Sequence, residues 1–162
     1  MRVLDTAALL HWPVERCRDG IVAISQQDEL LRVDEQRSLL MESASLNWQV
    51  PLETALQQAR EIASETGDLP RLSPVDLDVL ALAIDLNLPL VTDDYRMKNV
   101  ARKAGISVEG VLTSGGKKQW KWILRCIGCR AEEDVPPNAK QSKKDDVQLC
   151  DRCGSPMKLK KG

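Results

Sequence analysis

Apolar positions along this chain fall into two alternating patterns. Short runs rich in aliphatic and β-branched residues at 2–4, 21–24, 89–92 and 106–112 read as strands, and Trp48-Gln49-Val50, ended by Pro51, reads as another. Helical patterns lie between them. Ser25 precedes Gln26-Gln27-Asp28-Glu29 in the order of an N-cap and an acidic first turn, and that helix continues or restarts through 34–46. Residues 52–65 form a further helix closed by Gly67. Ser73-Pro74-Val75-Asp76 opens another. Its continuation, 77–84, is apolar on nearly all sides and must be buried on two faces. Asp93-Asp94 starts a last helix that ends near Gly105. Strands alternating with helices predict an α/β fold, with a parallel sheet covered on both sides.

The pattern breaks at Thr113-Ser114-Gly115-Gly116-Lys117-Lys118, which reads as a linker. The expected organisation is a first domain over 1–112, a linker over 113–119 and a small second unit over 120–162 with a basic tail. A length of 162 residues suits one ordinary domain and an appendage. Phe is absent and aromatics make up 3%, so the core must be aliphatic. No apolar run reaches the roughly 18 residues of a membrane span, and the N-terminal run is too short for a secretory signal. A cytoplasmic protein is expected. The net charge of −1 hides an asymmetry. Residues 113–162 carry 12 Lys+Arg against 6 Asp+Glu, and the rest carries 11 against 18. A basic C-terminal third on an acidic body favours a polyanionic partner.

Four of the five cysteines form two knuckles, Cys126-Ile-Gly-Cys129 and Cys150-Asp-Arg-Cys153, separated by 20 residues. That spacing suits tetrahedral Zn²⁺, with iron as the alternative metal for the same ligands, and four thiolates leave no open coordination position, so the metal is structural. Gly128 and Gly154 suit the tight turns of the knuckles. Trp120 and Trp122 alternate on an expected strand, with Lys117, Lys118, Lys121 and Arg125 around them. Stacking together with phosphate contacts suits single-stranded RNA. The same two rings could instead pack the ribbon against the first domain. The lysines at 158–161 either add nonspecific affinity or end the chain as a frayed tail. His11, the sole histidine, reads as a loop residue, and Cys17 as a thiol without a role in chemistry.

The informative acids lie at strand ends. Asp5 follows the first strand, Glu29 lies in the first turn after the second, and Asp93 and Asp94 follow the strand at 89–92. Asp76 begins the buried helix. In an open α/β sheet, ligands bind beyond the carboxyl ends of the strands, so these acids can meet in one crevice. Each also has a plainer use, as an N-cap or against a helix dipole. Converging carboxylates repel unless cations neutralise them. Oxygen ligands favour Mg²⁺ or Mn²⁺, whose chemistry fits phosphodiester hydrolysis.

Val3-Leu4-Asp5-Thr6 resembles the opening of PIN-domain nucleases. Leu72-Ser73-Pro74-Val75-Asp76 with the apolar 79–83, then Leu90-Val91-Thr92-Asp93-Asp94-Tyr95 and Asn99-Val100-Ala101, is similar to their NOB-type (NIN-one-binding) branch. The resemblance spans essentially the whole chain. It implies a PIN-like sheet followed by a zinc ribbon. It also implies an endoribonuclease that uses Mn²⁺ or Mg²⁺ to form the mature 3′ end of small-subunit (16S) ribosomal RNA from its precursor, within the pre-ribosomal small subunit. Asp5, Glu29, Asp76 and Asp94 then match the family's acidic quartet, with Asp93 auxiliary and Asn99 ordering the pocket through hydrogen bonds. Glu35 and Glu42 rival Glu29 as the second acid. Two other readings stand beside this one, a noncatalytic RNA-binding ribosome-assembly factor and a VapC-like toxin ribonuclease. The intact quartet weighs against the first and the appended ribbon against the second.

Overall fold

The computed structural model describes residues 1–112, 119–143 and 146–162. The residues assigned to the linker, apart from Gln119, therefore lie outside the described residues, as do Lys117 and Lys118. Five short strands form a parallel sheet: β1 (Val3–Leu4), β2 (Ile21–Ala23), β3 (Asn47–Gln49), β4 (Leu90–Val91) and β5 (Val108–Glu109). Their order is β3-β2-β1-β4-β5. The chain builds outward from β1 to β3, then returns to the other side of β1 with β4. The seam between β1 and β4 is thus the topological switch point, where an open sheet of this kind binds ligands.

Side chains alternate across each strand, and the alternation sorts the core into two layers. Leu4, Val22 and Val91 face one layer, covered by α1 (Thr6–His11), α2 (Val14–Cys17), α3 (Gln26–Val33) and α4 (Glu35–Glu42). Val3, Ile21, Ala23 and Leu90 face the other, covered by α5 (Glu53–Thr66), α6 (Pro74–Leu86) and α7 (Tyr95–Lys103). Helix α6 lies between the sheet and its neighbouring helices, which explains its apolar circumference. The small residues Ala55, Ala59 and Ala63 on α5 let the helices approach closely.

Two short elements were not legible in the periodicity: α2 with four residues and a 3-10 turn at Leu69–Arg71 with three. Neither is long enough to show a period. The expected cap at Ser25 is also corrected. Its hydroxyl makes no cap hydrogen bond. Instead Gln26 turns inward, accepting from the Ala23 N–H at 2.7 Å and donating to the Leu4 carbonyl at 3.0 Å. That buried amide ties β2 to β1 and fixes where α3 begins.

The second unit is an antiparallel sheet in the order β7-β6-β9-β8. Its strands are β6 (Trp122–Cys126), β7 (Glu132–Asp134), β8 (Asp146–Leu149) and β9 (Pro156–Lys161). The lysine-rich C-terminus is therefore no frayed tail. It is a central strand paired with both β6 and β8. Alternation places the buried Met157 and the partly buried Leu159 on its inner side and turns Lys158 and Lys160 the other way.

The ribbon packs on α5 and the 3-10 turn. Leu124, Cys126, Val135 and Met157 join the same apolar cluster as Ala63 and Leu69. Ser64 donates its hydroxyl to the Val135 carbonyl at 2.6 Å, and the Ser142 N–H donates to the Pro70 carbonyl at 2.7 Å. Gly67 sits at the closest approach. It ends α5 at φ +80°, and a Cβ there would lie 2.0 Å from the Trp122 carbonyl oxygen. Backbone conformation and space both demand glycine. Gly67→Ala should cost roughly 2–5 kcal/mol and loosen the ribbon. Thermal unfolding and limited proteolysis check this, and an unchanged melting temperature would contradict the packing.

Candidate active site and four-cysteine cluster

Asp5 leaves the end of β1 at the switch point, and its own N–H is paired with the Val91 carbonyl at 3.0 Å. One carboxylate oxygen accepts from the Thr6 N–H at 2.8 Å as the N-cap of α1, and the other accepts from the Thr92 hydroxyl at 2.7 Å. Capping and a site role are therefore compatible in one residue. Burial pushes its carboxyl up to about 7; the two hydrogen bonds oppose the rise, and the charges of Asp76 and Asp94 add to it.

Asp76 is the third residue of α6, held by a reciprocal capping box with Ser73. The Ser73 N–H donates to the Asp76 carboxylate at 2.8 Å, and the Asp76 N–H donates to the Ser73 hydroxyl at 3.1 Å. Burial raises its carboxyl above the ordinary range, with Asp94 and Glu29 adding to the rise. Asp94 caps α7, accepting from the Arg96 N–H at 2.8 Å, while its own N–H donates to the Thr92 hydroxyl at 3.1 Å. Thr92 thus links Asp5 to Asp94 through one buried oxygen.

Glu29 is half-buried on the first turn of α3, close enough for its charge to act on Asp76. Its rivals Glu35 and Glu42 are exposed on α4. The structure therefore gathers Asp5, Asp76, Asp94 and Glu29. The charges of Asp76 and Asp94 push the Asp5 carboxyl up, and those of Asp94 and Glu29 push up that of Asp76. That is the donor set and electrostatic state suited to a hard divalent cation.

The four cysteine sulfurs lie within 4.8 Å of one another. Cys126 and Cys153 are 3.3 Å apart and Cys129 and Cys150 are 3.6 Å apart, near the ~3.8 Å edge of a tetrahedron with zinc–sulfur bonds of about 2.3 Å. The two knuckles share one geometry. The residue after the second cysteine is left-handed in each, Arg130 at φ 61° and Gly154 at φ 75°. Its N–H donates back to the first cysteine's carbonyl, at 3.2 and 2.8 Å. Gly128 lies in the turn at 127–129 as expected, and a Cβ there would also meet the Ser155 hydroxyl at 2.6 Å.

A family model described as the PIN domain of ribonuclease matches residues 3–86. Endoribonuclease Nob1 of Pyrococcus abyssi is 37% identical over 131 residues, covering 78% of this chain and 75% of that protein. Endoribonuclease Nob1 of Methanocaldococcus jannaschii is 32% identical over 164 residues, covering 99% of this chain and 77% of that protein. The chain belongs to the PIN-domain ribonuclease family, among the Nob1 endoribonucleases. Ribonuclease VapC1 of Thermoplasma acidophilum is 38% identical over 103 residues, covering 64% of this chain and 48% of that protein. Among the described residues no helix is long and apolar enough to cross a membrane.

Around this PIN domain the remaining expected site residues separate by position. Asp93 spends both carboxylate oxygens on backbone, accepting from Val111 and Leu112 N–H groups at 2.8 and 2.9 Å. It holds the chain beyond β5. Asn99 joins the PIN domain to the ribbon: its amide donates to Asp68 at 2.7 Å and to the Trp120 carbonyl at 2.9 Å, and its oxygen accepts from the Trp120 N–H at 2.8 Å. Trp122 lies on the same side of β6 as the buried Leu124, toward the PIN domain. Lys121 and Arg125 lie on the other side, paired with Asp134 at 3.1 Å and Glu132 at 2.6 Å on β7.

Three residues of the site escaped the sequence reading. Thr92 and Gln26 are fully buried polar residues whose sequence setting is an ordinary strand end and helix start. Asp68 follows the Gly67 turn and carries no strand-end signal. Burial pushes its carboxyl up to about 6, against the hydrogen bond from Asn99. Only the long-range packing of α7 and the ribbon against the 3-10 turn makes it part of the site.

Proposed function

We propose that this PIN-domain endoribonuclease hydrolyses a phosphodiester in precursor small-subunit (16S) ribosomal RNA to generate its mature 3′ end, acting on the pre-ribosomal small subunit in the cytoplasm. The observation that carries the reading is the buried carboxylate cluster at the β1/β4 switch point in a chain whose likeness to Nob1 of M. jannaschii runs through the ribbon. The match to VapC1 covers 64% of the chain, which favours Nob1 over a toxin role.

Asp5, Asp76 and Asp94 would hold Mn²⁺ or Mg²⁺. Such an ion, when bound, lowers the pKa of water and offsets charge on phosphoryl oxygens. The chain's own groups set the geometry. Thr92 fixes Asp5 through its hydroxyl and Asp94 through that residue's N–H, and the capping box fixes Asp76 against Ser73. Each anchored carboxylate retains lone pairs for a ligand. Glu29, less constrained on α3, ligates or orients water on the open side. Asp93 serves the pocket indirectly by anchoring the chain that follows β5. Zn²⁺ in the four-cysteine cluster supports the ribbon, whose basic strand approaches the RNA.

Incubation with a precursor spanning the mature 3′ end, with and without Mn²⁺, tests this reading. New ends should map to that boundary and require the ion. Binding without cutting would favour a noncatalytic assembly factor, and cutting of unrelated RNAs at equal rate would remove the assigned substrate.

A further inference from the structure

We propose that the seam between the PIN domain and the ribbon seats one unstacked nucleotide of the single-stranded RNA, directly beside the phosphodiester presented to the carboxylates. This inference rests on the nuclease reading above and adds a binding subsite to it. The seam contains an open pocket of about 620 Å³ lined by Asp94, Tyr95, Arg96, Trp120, Trp122 and Lys161. That volume is ample for a base and its sugar. Asp94 belongs both to this pocket and to the carboxylate cluster, so an occupant here is adjacent to the cluster.

Aromatic residues are scarce in this protein, with four Trp, one Tyr and no Phe, and three of these five line the one pocket. Tyr95 is the first residue of α7 and is 73% exposed, so the core does not account for it. Trp120 is 41% exposed; Asn99 holds its backbone, and the Lys161 ammonium sits over its ring. The two residues are thus presented from separate units, one by a helix start and one by a backbone clamp. Every base has a face that stacks on such rings without sequence preference.

The charges decide which part of a nucleotide enters. Asp68, Asp93 and Asp94 make the interior acidic, which repels a phosphate, and Asp94 keeps lone pairs for base N–H groups. Arg96 and Lys161 supply cations for the backbone, and the Lys161 ammonium lies 3.6 Å from the Trp120 ring centroid. A base directed inward with its phosphates at the cations satisfies both signs.

The test uses the zinc-loaded full chain and ten-nucleotide RNAs spanning the mature 3′ end, each with 2-aminopurine at one position. Binding is followed by fluorescence without Mn²⁺, so the RNA stays whole. One position should be quenched on the parent protein. Tyr95→Ala and Trp120→Ala should each abolish that quench and weaken binding by about fivefold or more. Quenching spread evenly along the RNA, or surviving in both variants, overturns the seat. Mn²⁺ is then added and the cut mapped. A cut next to the quenched nucleotide supports the proposal, and one several nucleotides away overturns its placement. A quenched position with no cut anywhere leaves the base seat standing and sinks the nuclease reading instead.

Discussion

Asp5→Asn should lower metal-dependent cleavage by about 10²–10³-fold or more while leaving RNA affinity within about twofold. The substitution keeps size and one acceptor for the α1 cap, and its amide N–H can donate to the Thr92 hydroxyl in place of the bond that Thr92 donates to Asp5. What it removes is charge at the centre of the cluster. Burial holds the parent carboxyl at about 7, well above the ordinary 3.8. The folded chain therefore binds this proton more tightly than the unfolded chain. The stability gained from that difference is full below pH about 4 and is lost as pH rises through 7, at most roughly 4 kcal/mol. Without a divalent ion, the variant should then be more stable than the parent at pH 7.5 and inactive. Mn²⁺ should raise the parent's melting temperature more at pH 7.5 than at pH 5, because bound cation needs the ionised carboxylate. The variant should lose most of that gain. Undiminished turnover in Mn²⁺, or an equal thermal shift in the variant, would contradict the assignment of Asp5.

This opposition of stability and activity also explains how much of the site could be read from residues alone. Asp5, Asp94 and Asp76 each stand at a boundary that local rules mark clearly: a strand end, a helix cap, a capping box. Local rules equally account for each as a cap, and the structure shows all three capping. Only the β1/β4 adjacency turns three caps into one anionic crevice, and adjacency is a property of topology. The same limit hid Asp68 and Thr92, whose roles come from partners 31 and 87 residues away in the chain. The parallel sheet was legible because the apolar runs of its central strands β1, β2 and β4 are buried on both faces. The role of β9 was not, because a lysine-rich terminus has the composition of a solvated tail while its alternation is that of a strand. The tryptophans and basic residues grouped around β6 divide for a related reason. Strand alternation sends Trp122 inward to the PIN domain and Lys121 and Arg125 outward to the acids of β7.

Cys150→Ser should reduce bound zinc from one equivalent to none and lower RNA affinity by about tenfold. A structural Zn²⁺ site contributes on the order of 10–16 kcal/mol to folding of a small zinc module, far more than four short strands can supply by burial. The damage should not stop at the ribbon. Cys150 and Cys126 lie in the apolar cluster that continues into Ala63 and Leu69 of the PIN domain. β6 also rests its backbone on Gly67. Loss of the metal therefore uncovers α5 and the 3-10 turn, frees Trp120 from its clamp on Asn99, and should lower the melting temperature of the whole chain. Cys17→Ser separates this from a general effect of thiol loss. Cys17 is also buried, but its sulfur donates to the Ala8 carbonyl at 3.7 Å, far from the knuckles in the opposite core layer. That variant should keep its zinc and its RNA affinity. Retention of a full zinc equivalent by Cys150→Ser would mean that the metal sits elsewhere. The coupling from thiolates to ribbon to seam would then lose its first link, and with it the reason why a closed metal site far from the chemistry should matter to RNA at all.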